Sequence, residues 1–84
     1  MVAERAEVLL QRARALAAGP LDGIETAARV LAEEAEGDLP AMQHARRAAL
    51  DAEAADPTPA AKQVVSLLRR ALEVGDWDWG GLAG

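Results

Sequence analysis

Hydrophobic residues recur at helical spacing through most of the chain, and glycine and proline interrupt this pattern at three places before the C-terminal tail. Apolar positions at i, i+3, i+4 and i+7 are typical of a helix with one buried face. In the first segment this face is formed by Val2, Ala6, Leu9, Ala13, Leu16 and Ala17, and Leu10 widens it. The pattern predicts four α-helices, at about residues 3–18, 21–36, 39–55 and 59–74.

Capping residues set the predicted ends of these helices. The second helix is expected to begin around residues 20–22, where Asp22 and Glu25 resemble a capping box. Asp38 and Thr58 are predicted N-caps, and each has a proline within the next two positions. Gly75 is the predicted C-cap of the fourth helix. Because the connections are short, neighbouring helices should pack roughly antiparallel.

The predicted inward faces differ in size. The fourth helix has the strongest apolar face, whereas the third helix is poor in large apolar residues and offers mainly alanine. The predicted inward residues are Ile24, Ala27, Ala28, Leu31 and Ala35 in the second helix, Met42, Ala45, Ala49 and Ala52 with Leu50 beside them in the third, and Val64, Leu67, Leu68, Ala71 and Leu72 in the fourth. Alanine contributes little buried area, so the third helix should keep an unsatisfied face that meets the tail tryptophans or another chain.

The sequence therefore predicts an all-α fold, a compact up-down bundle of four short helices with an irregular C-terminal tail. Residues 1–75 would form the bundle and residues 76–84 the Trp/Gly-rich tail. A three-helix core with a loosely docked third helix is the structural alternative. A chain of 84 residues corresponds to one domain.

Composition and charge argue against nucleic acid and membranes as partners. The net charge is −5 and arginine is interspersed with acidic residues, so the basic stripe expected of a nucleic-acid-binding protein is missing. No apolar stretch approaches the roughly 20 residues that span a bilayer, and the N-terminus does not resemble a signal peptide. These features predict a cytoplasmic protein with no membrane partner. The abundance of alanine and arginine suggests a GC-rich bacterial genome.

Charged residues on the helices give two further expectations. Glu33, Glu34 and Glu36 end the second helix, where negative charge opposes the helix dipole. We interpret them as a solvated face, with an acidic contact surface as the alternative. Arg70 and Glu73 have the spacing of a local ion pair.

The tail contains Trp77 and Trp79, the only aromatic residues of the chain. In an extended backbone these two would point to one side and Asp76 and Asp78 to the other. One interpretation is that an indole folds back and caps a core that is short of large side chains. The other is an exposed segment that anchors a partner, because tryptophan is a common hot-spot residue.

Catalytic and metal-binding patterns are missing from the sequence. His44 is the only histidine and Ser66 the only serine, and neither has a partner at a diagnostic spacing. Asp76 and Asp78 begin like a calcium loop, but the further oxygen ligands do not follow. We predict that the protein is not an enzyme and that it needs neither a cofactor nor a metal.

The leading functional prediction is a small non-enzymatic helical protein–protein interaction module, of a regulatory, adaptor or immunity type. Its partner would be another protein, with a second copy in a homodimer included. The alternative is a precursor or substrate protein whose helical body is recognised by an enzyme that modifies the Trp-Asp-Trp-Gly-Gly tail. A small enzyme that uses acidic residues and His44 is a third hypothesis. The predicted contact residues are Trp77, Trp79, Asp76, Asp78, Met42 and Arg46.

Overall fold

The computed structural model describes residues 2–19, 23–75 and 77, and within them it confirms the predicted bundle of four helices. The helices are α1 (Val2–Ala18), α2 (Ile24–Ala35), α3 (Leu39–Ala55) and α4 (Pro59–Val74). Three of them begin and end within one residue of the predicted positions. The described part contains no β-strand.

The start of α2 differs from the prediction. The helix begins at Ile24, and its N-cap is Gly23, whose φ of 123° lies in a region that glycine adopts at little cost. Gly23 has no side chain to cap the helix, so the predicted capping role of Asp22 does not apply to this start. Asp22 itself lies outside the described residues, together with Pro20 and Leu21.

The N-termini of α3 and α4 are capped as the sequence predicts. The Asp38 carboxylate accepts a hydrogen bond from the backbone N–H of Ala41 at 3.2 Å. The Thr58 hydroxyl oxygen accepts one from the backbone N–H of Ala61 at 3.0 Å. Each cap satisfies one of the backbone donors that the first turn of a helix leaves without a partner.

The four helices do not pack in the order in which they follow along the chain. α1 packs most extensively on α3, α2 packs on α4, and α3 also packs on α4. α2 and α3 follow one another in sequence but have the smallest mutual contact among these pairs. α1 and α2 are antiparallel, since Arg5 near the start of α1 donates to the carbonyl oxygen of Ala35 at the end of α2, at 3.3 Å.

The core consists of a few large side chains and many alanines. The largest fully buried side chains are Leu9, Leu31, Met42, Leu67 and Leu68. Alanines on all four helices are also buried, which lets the helix axes approach closely. Because Met42 and Ala45 are both fully buried, α3 is an integral member of the bundle and not a loosely docked helix.

Two predicted core positions are exposed. Ile24 retains 41% of its accessible surface and is the first residue of α2. Ala52 is exposed on the last part of α3. There the surrounding helices carry other small residues, and the space between them is left open. The side chain of Val2 lies outside what the structure describes.

The end of α2 gives a stability prediction. Glu36 is the C-cap of α2 and has φ 52° and ψ 39°, the left-handed region that is unfavourable for residues with a Cβ. We expect Glu36→Gly to raise the free energy of unfolding by about 0.5–1 kcal/mol, after allowing for the greater backbone freedom of glycine in the unfolded chain. Urea denaturation followed by circular dichroism measures this change.

Glu33→Gly is the matched control for Glu36→Gly. Glu33 is also exposed and lies three residues earlier, within the helix. Glycine there should lower stability by about 1 kcal/mol. Equal destabilisation by the two substitutions would contradict the left-handed conformation of Glu36.

Candidate functional site

Trp77 folds back on the end of α4 and completes the core. Only 7% of its surface is exposed, and its Nε1–H donates to the backbone carbonyl oxygen of Leu72 at 2.9 Å. The last carbonyls of a helix have no partner within the helix, so the indole satisfies one of them. Trp77 is therefore a cap on the core and not an exposed anchor.

Gly75 makes room for this indole. It is the C-cap of α4, as predicted, but its φ of −70° and ψ of 154° are accessible to any L-residue. A Cβ added at Gly75 would lie 2.5 Å from both Cε2 and Cζ2 of Trp77. The position therefore needs glycine because the Trp77 ring is so close, and not because of a left-handed backbone.

Among the described residues, Met42 and Arg46 do not form the exposed contact surface with Trp77 that the sequence predicts. Met42 is fully buried and belongs to the same core cluster as Trp77. Arg46 is half-buried, and its Nε is buried with no hydrogen-bond partner among the described residues. Asp76, Asp78 and Trp79 lie outside the described residues, so their contact with a partner stays a prediction.

The acidic end of α2 is held by arginines of α1. Arg12 Nε lies 2.6 Å from Glu34 Oε2. Arg5 donates to the backbone carbonyl oxygen of Glu34 at 3.2 Å and lies 3.8 Å from the Glu36 carboxylate. A cation at these carbonyls offsets the unfavourable acidic charges. The acidic residues remain largely exposed, but they also help to dock α2 on α1, which local spacing could not reveal.

Arg70 connects α4 to α2. Its Nε and one terminal nitrogen donate to the two carboxylate oxygens of Glu25, at 2.6 and 3.1 Å. The predicted local pair with Glu73 is also present, at 3.4 Å. The hydrogen bonds from Arg70 are the main reason that the pKa of Glu25 is lowered from its ordinary value, and desolvation opposes this effect.

The ion pair between Glu25 and Arg70 makes a small part of the folding stability depend on pH. Because the folded-state pKa of Glu25 is depressed, its contribution is present above the unfolded-state value of 4.5 and is lost as the pH falls through the folded-state pKa. We expect Glu25→Gln to lower the melting temperature at pH 7. The difference from wild type should narrow as the pH falls below 4.5.

Thermal unfolding of both proteins between pH 7 and pH 3 tests this expectation. Glu33→Gln is the control, because Glu33 is exposed and forms no ion pair in the described part of the chain. Its difference from wild type should change less with pH. A Glu25→Gln difference that is constant over the whole range would contradict the proposed role of the ion pair.

A concave surface lies at one end of the bundle, a cleft between the C-terminal parts of α1 and α3 and the start of α4. Its volume is about 580 Å³. Buried Leu10, Ala49 and Val64 contribute to its floor. Small residues from three helices also line it, namely Ala17, Ala18, Ala52, Ala60 and Ala61. We call this feature the alanine cleft.

Polar residues complete the alanine cleft. Arg14 comes from α1 and Asp56 is the C-cap of α3, while Thr58 and Gln63 are the remaining polar residues that line it. Arg14 and Asp56 are both exposed, and neither takes part in an ion pair within the part of the chain that the structure describes. An acidic residue at a helix C-terminus also opposes the helix dipole.

Sequence reasoning missed this cleft because alanine fits both a core and a surface. The available indication was the pairing of small residues at helix ends, Ala17-Ala18 and Ala60-Ala61. Their periodicity agreed with a buried face. It could not show that the helices would leave a gap there.

The remaining candidate chemistry does not assemble into a site. His44 and Ser66 are exposed on α3 and α4. No group of three potential metal ligands occurs among the described residues. In the same part of the chain, none of the helices is both long and apolar enough to cross a bilayer.

No family model matches this sequence, and no curated protein or solved structure shows significant similarity to it.

Proposed function

We propose that this protein is a non-enzymatic helical interaction module, of a regulatory, adaptor or immunity type, that binds a protein partner through the alanine cleft. The cleft itself is the observation that carries the proposal. It combines an apolar floor with a polar and charged rim, which is the usual anatomy of a protein interface. From its composition we further propose that the protein acts in the cytoplasm of a bacterium.

The alanine cleft is a better contact surface than the one predicted from the sequence. Met42 and Trp77 are buried in the core, so a partner would reach them only if the bundle opened. The cleft residues Ala18, Ala52 and Ala60 are exposed in the folded bundle. Short side chains also leave the partner room to insert an apolar group of its own.

The burial of Trp77 also bears on the alternative of a precursor or substrate protein. An enzyme that acts on the Trp-Asp-Trp-Gly-Gly segment would meet a Trp77 that is buried and hydrogen-bonded to the end of α4. It would first have to separate this indole from the bundle. An interaction module needs no such step, and we therefore prefer it.

Site-specific crosslinking tests the proposal. A photoreactive residue at position 52 lies in the alanine cleft, whereas one at position 54 is exposed on the same helix but outside the cleft. We expect crosslinked complexes from position 52 and few or none from position 54. Equal yields at both positions, or none at either, would overturn the proposal.

A further inference from the structure

We infer that the partner in the alanine cleft is a second copy of this chain, in a two-fold symmetric dimer in which Arg14 of each copy pairs with Asp56 of the other. This inference rests on the proposed function, because it takes the cleft to be a protein-binding surface and names the partner. Two properties of the cleft support it, the signs of its charges and an apolar side chain beside it, and its size sets the expected affinity.

The charges of the cleft are self-complementary. A two-fold interface places the same surface of both copies face to face, so a surface with one sign of charge would repel its own copy. The alanine cleft instead presents one guanidinium, from Arg14, and one carboxylate, from Asp56. In a symmetric dimer the two residues form two equivalent ion pairs, and they have no ion-pair partner in the described part of a single copy.

Ile24 supplies an apolar group of suitable size next to the cleft. It is 41% exposed and lines a smaller depression that shares Ala17 and Gln63 with the alanine cleft. When two identical surfaces meet across a two-fold axis, the projecting side chain of each copy can fill the cavity of the other. Ile24 of each copy would enter the cleft of the other, where the alanines leave space.

The size of the cleft sets the expected affinity. Twelve residues line it, whereas a standard interface uses about 20–30 residues on each side. We therefore expect a weak dimer that dissociates on dilution. Sedimentation measures the equilibrium between monomer and dimer. In a weak dimer it can detect a substitution that weakens association as well as one that strengthens it.

Charge reversal gives a sharp test on the purified full chain. In the Arg14→Glu variant, each contact between the copies brings two carboxylates together. In the Asp56→Arg variant, each contact brings two guanidinium groups together. Because like charges repel, each variant should dimerise on the order of tenfold more weakly than wild type. An equimolar mixture of the two variants restores both opposite-charge contacts in a heterodimer. The same holds for the homodimer of the double variant R14E/D56R.

The controls separate loss of the interface from loss of the fold. Arg47→Glu reverses a charge on the exposed face of α3, outside the cleft, and should leave the dimer unchanged. Ile24→Asp should weaken the dimer, whereas Val8→Asp should not, although Val8 is the more exposed of the two at 63%. Circular dichroism establishes that each variant is folded.

The outcomes distinguish this inference from the proposed function. Recovery of the dimer in the mixed and double variants supports the inference. A wild-type protein that stays monomeric at every concentration overturns it, and so does a dimer that is insensitive to Arg14, Asp56 and Ile24. If the protein is monomeric but position 52 crosslinks to a different protein, only the inference fails. If no complex of either kind forms, the proposed function fails with it.

Discussion

Replacing Trp77 by alanine is expected to lower the free energy of unfolding by about 3–5 kcal/mol, the usual cost of deleting a large buried aromatic side chain. The indole is 93% buried, and it also donates a hydrogen bond to the Leu72 carbonyl oxygen. A single domain has only about 5–15 kcal/mol of stability in total. The variant should therefore be marginally folded at room temperature.

Urea denaturation followed by the helical circular dichroism signal measures this loss. Tryptophan fluorescence is less suitable, because Trp79 would also contribute to the emission. Trp77→Phe is the control, since it keeps an apolar ring but cannot donate to Leu72. We expect it to lie between wild type and Trp77→Ala. A loss below about 0.5 kcal/mol in Trp77→Ala, the range of surface substitutions, would contradict a core role for Trp77.

Features that depend on neighbours along the chain could be predicted from the sequence. The N-caps Asp38 and Thr58 and the end of α4 at Gly75 follow from local rules, and the structure confirms all three. The large buried side chains, such as Leu31 and Leu68, follow from helical periodicity. Each of these depends on residues within one or two turns of the same helix.

Features that depend on how helices meet could not be predicted in the same way. The partner of Arg70 on α2 is 45 residues away in sequence, so spacing indicated only the local pair with Glu73. The alanine cleft arises because small residues of three helices face one another at one end of the bundle. The sequence gives the composition of each face but not the distance between the faces.

The tail illustrates both cases. The sequence indicated that a core poor in large side chains would accept an indole, and Trp77 takes this place. It did not indicate that the partner of the indole N–H would be a carbonyl oxygen at the end of α4. Burial of Trp77 also favours the alanine cleft as the proposed contact surface, because one of the two tryptophans of the tail is used within the fold.

Replacing Gly75 by alanine is expected to lower the free energy of unfolding by about 1–3 kcal/mol, the range for overpacking a close contact. The new methyl group would lie 2.5 Å from two ring atoms of Trp77, and Trp77 would have to shift out of its place in the core. Chemical denaturation measures the change. Gly19→Ala is the matched control, because a Cβ there meets only backbone oxygens at 3.5 and 3.8 Å, which are ordinary contacts.

A double-mutant cycle isolates the cause of the Gly75 effect. Once Trp77 is alanine the obstacle is gone, and the extended backbone at Gly75 accepts a side chain without strain. In that background Gly75→Ala should be neutral or stabilising by up to about 1 kcal/mol, because alanine restricts the unfolded chain. The sign of the substitution thus depends on Trp77, and the two expectations differ by a coupling energy of about 1–4 kcal/mol. Equal destabilisation in both backgrounds would show that the need for glycine at position 75 does not come from the Trp77 ring.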